Sequence, residues 1–170
     1  MADVYDIAIV GAGPAGANAA LAATAKGCRV IVVDEQHKAG GQVWRAKNAA
    51  IMNAPITPET VAGDTLRDAL TNSRAVHLGD ARVWQIERES DLWVLHVLVA
   101  ERTETIRASA LVLASGAREF VHPIPGWTTP GVIGLAGATA LMKQDLTLPG
   151  EQTIVSGTGP LVFFVASEIR

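Results

Sequence analysis

Two rhythms of apolar positions alternate along the chain. "YDIAIV" (residues 5–10) and "RVIVV" (residues 29–33) are short, almost unbroken apolar runs, the pattern of strands buried on both faces of a parallel sheet. Between them "PAGANAALAATAK" (residues 14–26) is rich in small residues and reads as a helix, which Gly27 stops. Residues 1–35 therefore predict one right-handed βαβ unit. Residues 36–58 lose all periodicity, and a long excursion of this kind is often functional. "TPETVAGDTLRDALTNS" (residues 57–73) predicts a helix with Thr57 as N-cap, Pro58 in the first turn and Val61, Leu66 and Leu70 facing inward; Gly63 weakens it. Residues 75–109 switch to period two, and "ARVWQIERES", "DLWVLHVLVA" and "ETIRAS" predict three antiparallel strands. "ALVLASGA" returns to a buried strand ending in Ser115 and Gly116. A Pro/Gly-rich crossing follows, then a helix over residues 132–143. Finally "TIVSGTG", with Ile154 to Ser156 as strand, opens a second strand, glycine turn and helix.

Composition narrows the classes. A 170-residue chain with 49% apolar and 18% charged residues can bury a core and excludes disorder. Its net charge of -3 and scattered Lys and Arg argue against nucleic acid as a partner. No apolar run is long enough to span a membrane. The N-terminus resembles a signal peptide only superficially, because Asp3 and Asp6 replace its positive region and glycines interrupt it. A single cysteine, Cys28, forms no internal disulfide and suits a reducing, cytoplasmic setting. His37, His77, His96 and His122 are too scattered in sequence for a metal site, and no Ser/His/Asp set stands out. Trp44, Trp84, Trp93 and Trp127 read as packing residues, with Trp44 placed where it could also touch a ligand.

The chemistry concentrates in "GAGPAG", Gly11 to Gly16. Gly11, Gly13 and Gly16 have the G-x-G-x-x-G spacing: the first allows a tight turn, the second lets a pyrophosphate approach the backbone, and the third lets helix and strand pack closely. Ala12, Pro14 and Ala15 complete the turn, whose helix N-terminus offers free N–H groups and a favourable dipole to an anion. Asp34 closes the second strand 18 residues after Gly16, where a carboxylate can accept from a ribose diol; an acidic residue there disfavours a 2′-phosphate. Glu35, next along, is carried in the same candidate set, although its own reading is a solvated side chain.

These motifs resemble the two-dinucleotide-binding flavoproteins that include glutathione and thioredoxin reductases. The resemblance implies that "GAGPAG" holds the ADP half of FAD. It implies that "GGQVWR", with Gly41, Gln42 and Arg45, passes close to the flavin ribityl and pyrophosphate. It also places Val83 of "DARV" at adenine, and Ala114, Ser115 and Gly116 at the turn where the chain leaves the FAD domain. By themselves Gly40 and Gly41 read equally as a flexible turn, and Arg45 and Arg118 as either phosphate ligands or solvated side chains. The fold expected is α/β: a Rossmann-like FAD-binding domain with a parallel sheet, an antiparallel three-stranded meander, and the start of a second, inserted dinucleotide-binding domain.

With Cys28 alone, dithiol chemistry is excluded. The long segment from Gly116 to Lys143, together with "GGQVWR", is instead similar to the FAD subunits of hydrogen cyanide synthase, opine oxidase and related amino acid or amine dehydrogenases. That likeness implies oxidation of a C–N bond of an amino acid, opine or amine with flavin as hydride acceptor. It also implies partner subunits, often an iron–sulfur protein among them, and flavin-borne chemistry for which no side chain of this chain need act as acid or base; the catalytic residues stay unassigned. Residues 1–122 are expected to be the FAD-binding domain and residues 123–170 an incomplete NAD(P)-type domain, with Gly157 and Gly159 as its glycines and Val162 where the third should be. The chain then reads as an N-terminal piece. Alternatives are an NAD(P)H-dependent flavoprotein reductase, an NAD-linked dehydrogenase using the first site, and a non-catalytic nucleotide-binding module.

Overall fold

The structure, a computed structural model, describes residues 4–51 and 54–169; Asp3 and Arg170 lie outside them. In chain order the elements are β1 (Val4–Val10), α1 (Pro14–Ala25), β2 (Val30–Val33), α2 (Pro58–Thr71), β3 (Val76–Leu78), β4 (Ala81–Glu89), β5 (Leu92–Val99), β6 (Arg102–Leu113), α3 (Leu135–Asp145) and α4 (Pro160–Ile169). They divide into two units, residues 1–46 with 56–116 and residues 47–55 with 117–170.

The first unit is an α/β fold on one six-stranded mixed sheet, ordered β3-β2-β1-β6-β5-β4. β1 pairs in parallel with β2 and β6, and β2 with β3, while β4, β5 and β6 form an antiparallel meander. The expected division between a meander strand ending near Ser109 and a separate buried strand is corrected: β6 is continuous. Its first half, through Ala108, pairs with β5, and from Arg107 onward it pairs with β1. Turn residues are absent between "ETIRAS" and "ALVLASGA", so nothing breaks the strand there. Its end is not buried as expected, since Val112 and Leu113 are exposed. β3 has no counterpart among the expected elements, because three residues carry too little periodicity.

Alternation along β2 sorts the core. Val30 and Val32 face α1 and α2, where they meet Ile9, Ala17, Ala20, Leu66 and Leu70. Ile31 and Val33 face the other way, against Leu95, Val97, Ile106 and Ala108. The alanines of α1 let the helix lie close to the sheet, and Cys28 packs at the rim of the same core. α2 starts as its sequence directs, with the Thr57 hydroxyl accepting from Thr60 N. Burying Leu66 and Leu70 contributes about 1.5–3 kcal/mol each. Val61 does not join them; it is exposed, because the helix turns that position to solvent. Of the tryptophans, Trp44 and Trp93 pack on the core as expected, Trp84 lies exposed against the His96 ring, and Trp127 is exposed.

In the second unit α3 begins at Leu135, three residues later than expected from its start at residue 132. Its N-cap is Gly134, and the cap is supplied from a distance: Glu119 Oε1 accepts from Leu135 N at 2.7 Å and Oε2 from Ala136 N at 3.0 Å. Asn48 N donates to Gln144 O at the other end of the helix. The strand expected at Ile154 to Ser156 is absent: no ladder pairs these residues, and Ile154 is 95% exposed.

Candidate functional site

β1 ends in the glycine turn, and the turn is held from three sides. Gly11 N donates to Val33 O at the end of β2, and Ala114 N donates to Val10 O. Gly11 has φ +101°, and a Cβ there would lie 2.3 Å from Ala114 O, so both conformation and space require glycine. A Cβ on Gly16 would sit 1.9 Å from Gly11 O; helix α1 and the turn touch backbone to backbone. Gly13 differs. It has φ -65°, and its Cβ would meet nothing nearer than Gly41 Cα at 3.9 Å. The protein itself does not need glycine there, so the space above Gly13 is a cradle that a side chain would fill.

Gly13 is also the N-cap of α1 and provides no side-chain cap, with Pro14 at the first position and no acidic residue in the first turn. The first N–H groups of a helix have no intrahelical partners. An anion set at this point gains those donors and the helix dipole.

Asp34, 9% exposed, is the buried polar residue of the site. Its Oδ2 accepts from Ala12 N, and its Oδ1 from Gln36 N at 2.6 Å. The carboxylate thus clamps the glycine turn to the end of β2. Each oxygen has a further lone pair, so the group can still accept from a diol. Glu35 is exposed, with its Oε1 3.7 Å from Arg82 Nε. With Asp80, Ala81, Arg82, Leu98, Ala100 and Glu101 it lines a cavity of about 230 Å³. Val83 follows on β4 and is half-buried.

The Gly-Gly loop meets the turn directly. Gly40 N donates to Ala12 O at 2.9 Å, and a Cβ on Gly41 would lie 2.9 Å from Gly13 Cα. Gln42 is exposed and Arg45 half-buried in the same loop. Beyond Ala114, Ser115 and Gly116 are exposed at the end of the unit. The structure thus brings together Gly11 to Gly16, Asp34, Gly40, Gly41 and Ala114, all at the carboxyl ends of parallel strands, which is where open α/β sheets bind ligands. Glu35 belongs instead to the cavity it lines with Arg82, and Val83 lies on β4 outside that lining.

Sequence reasoning missed Arg67 of α2, which donates to carbonyls of the Gly-Gly loop; an i,i+3 Asp64 was its one sequence signal. His77, which the sequence reads as too isolated for a metal site, is partly buried on β3. His77 Nε2 is buried without a hydrogen-bond partner. Burial pushes its pKa below the ordinary value, with Asp34 opposing and His37 adding to the shift. Among the described residues no cluster of His, Cys, Asp or Glu is arranged to hold a metal ion, and no helix is long and apolar enough to cross a membrane.

The class these features define is a Rossmann-like dinucleotide-binding domain with its glycine turn and acidic strand end in place. The chain belongs to the pyridine nucleotide-disulphide oxidoreductase family, whose pattern matches residues 5–169, and membership implies FAD binding. It is 35% identical to an opine oxidase subunit of Agrobacterium tumefaciens (strain Ach5), over 99% of this chain and 35% of that protein. It is 30% identical to hydrogen cyanide synthase subunit HcnB of Pseudomonas aeruginosa, over 95% of this chain and 35% of that protein. Among solved structures, L-proline dehydrogenase from P. horikoshii superposes with a TM-score of 0.74 at 24% identity, over 87% of this chain and 30% of that one. The chain spans about a third of the length of these relatives.

Proposed function

We propose that the chain carries the FAD-binding portion of an oxidoreductase that oxidises a C–N bond in an amino acid, opine or amine. The observation that supports this most is the pairing of Gly13 with Gly41: two glycine backbones in near contact, beside a helix N-terminus, with an open cradle that the fold itself does not use. Gly11, Ala12, Gly13, Pro14, Ala15 and Gly16 would hold the pyrophosphate, Asp34 the ribose, and Val83 with Glu35 the adenosine end. Gly41, Gln42 and Arg45 would border the flavin half, with Ala114, Ser115 and Gly116 closing the turn. Hydride acceptance is the chemistry FAD supplies when bound; these residues bind and orient it.

The identity of the substrate as a C–N compound rests on similarity to relatives named for opine oxidase and hydrogen cyanide synthase. Both are named as subunits, which supports a hetero-oligomer here; an iron–sulfur partner and a cytoplasmic location are further parts of the proposal. Residues 1–122 are assigned to the FAD-binding domain and residues 123–170 to the start of a second domain, where Gly157 and Gly159 are a candidate NAD(P) turn. A non-catalytic nucleotide-binding module is the second reading. The visible spectrum of the purified chain after incubation with FAD and gel filtration tests the first step: retained flavin supports the proposal, and a colourless protein contradicts it. Dye-linked oxidation of opines, glycine and proline by a chain extended to the relatives' length separates enzyme from module.

A further inference from the structure

Arg67 lies one turn after Gly63 on α2, and its side chain is only 15% exposed. One guanidinium nitrogen, Nη1, donates to Ala39 O at 3.0 Å and to Trp44 O at 2.9 Å. Those two carbonyls are the two ends of the turn that contains Gly40 and Gly41, and Trp44 N closes the same turn onto Gly40 O at 3.0 Å. The second terminal nitrogen, Nη2, donates to Asp64 Oδ1 at 2.8 Å, which offsets the charge.

The surroundings are shaped for this side chain. A Cβ on Gly63 would lie 2.8 Å from Arg67 Nη2 and 3.0 Å from Trp44 Cβ. A Cβ on Gly40 would lie 2.2 Å from Trp44 O and 2.8 Å from Arg67 Nη1. Gly63 is thus a helix-weakening residue with a packing reason: it makes room for the Arg67 guanidinium and the Trp44 Cβ. A planar fork with several donors is needed to hold two carbonyls and a carboxylate at once; lysine offers a single point.

We infer that Arg67 is a positioning residue for the cofactor: from α2 it locks the Gly40–Gly41 loop against Gly13 and so fixes the surface along which the flavin half of FAD lies. The inference rests on the proposed FAD site. It acts through the loop backbone, and Arg67 itself need touch no ligand.

Calorimetric titration of the 170-residue chain with FAD and, separately, with ADP tests it, using wild type, Arg67→Met, Arg67→Lys and Gly63→Ala. Arg67→Met is expected to weaken FAD at least about tenfold, the loss of hydrogen bonds to a charged group, while ADP changes by less than about threefold. Arg67→Lys is expected to fall between wild type and Arg67→Met for FAD. Gly63→Ala favours an isolated helix yet is expected to weaken FAD, because the added methyl displaces the guanidinium. A merely structural Arg67 would weaken both ligands alike or neither, and either result overturns the inference. Should Arg67→Met not fold, the FAD-to-ADP ratio of Arg67→Lys and Gly63→Ala decides in the same way. A wild-type chain that binds neither ligand overturns the proposed site and this inference with it. Wild-type binding with an unchanged ratio in the variants overturns the latch alone.

Discussion

The chain writes strand, glycine turn and helix twice, and the two copies end differently. Around Gly11 to Gly16 the turn is fastened by the ends of β2 and β6, by Asp34 on Ala12 N, and by Gly40 on Ala12 O. Around Gly157 to Gly159 no ladder forms, and α4 leaves Leu161 and Phe163 exposed while burying Val165. Both copies have the local signals: an apolar run, positive-φ glycines and a helix opened by proline. What separates them is non-local. A strand exists only when a neighbour takes up its backbone groups, and a dinucleotide turn is rigid only when other chain segments hold it.

The largest expected effect marks that difference. Gly16→Ala puts a methyl 1.9 Å from Gly11 O and is expected to cost about 3 kcal/mol or more in urea denaturation of the first unit. Gly159→Ala, with nothing within 4 Å, meets only its φ of +96° and should cost about 1–2 kcal/mol. Equal losses at the two positions would erase the contrast between a built turn and an unfastened one. Asp34→Asn comes next. The amide keeps one acceptor and turns an N–H₂ toward a backbone donor, so about 1.5–3 kcal/mol of stability should be lost even without ligand. An unchanged melting temperature would mean that the clamp on Ala12 is dispensable.

The smallest effect concerns His77 on β3, which pairs with Val32 of β2. Its pKa in the folded protein lies below the ordinary 6.5, mainly through burial. The unfolded chain therefore binds more protons below that value. The associated stability is complete above it and is lost as pH falls through it toward the folded-state pKa. His77→Leu should flatten the fall in melting temperature between about pH 7.5 and about pH 5. Parallel curves for wild type and variant would assign that fall to other groups.

Much of the first turn is legible in the sequence because its signals are local. The glycine spacing, Thr57 with Pro58, and Asp34 at a strand end can be read from neighbouring residues alone. The rest depends on partners far along the chain. Arg67 reaches Ala39 and Trp44 over 28 and 23 residues, and Glu119 caps α3 from 16 residues away. No periodicity announces such contacts. Asp34 stands out in the sequence for its place at a strand end, yet its bond to Ala12 N gives it a second, structural duty. β6 looks like two strands because its antiparallel and parallel halves carry different patterns. Ile154 to Ser156 looks like a strand because an apolar run does not reveal whether a neighbour awaits it.

The central claim is that the cradle above Gly13 receives the pyrophosphate of FAD. Calorimetric titration of FAD into wild type and Gly13→Val, with a thermal melt of each, addresses it most directly. Gly13 has ordinary φ and a Cβ there would meet only Gly41 Cα, at 3.9 Å, so Gly13→Val should stay folded and lose about 1 kcal/mol of stability, mainly the cost of a poor N-cap residue. Saturable FAD binding is expected for the wild type and none for this folded variant. Undiminished FAD affinity in a folded Gly13→Val protein would contradict it.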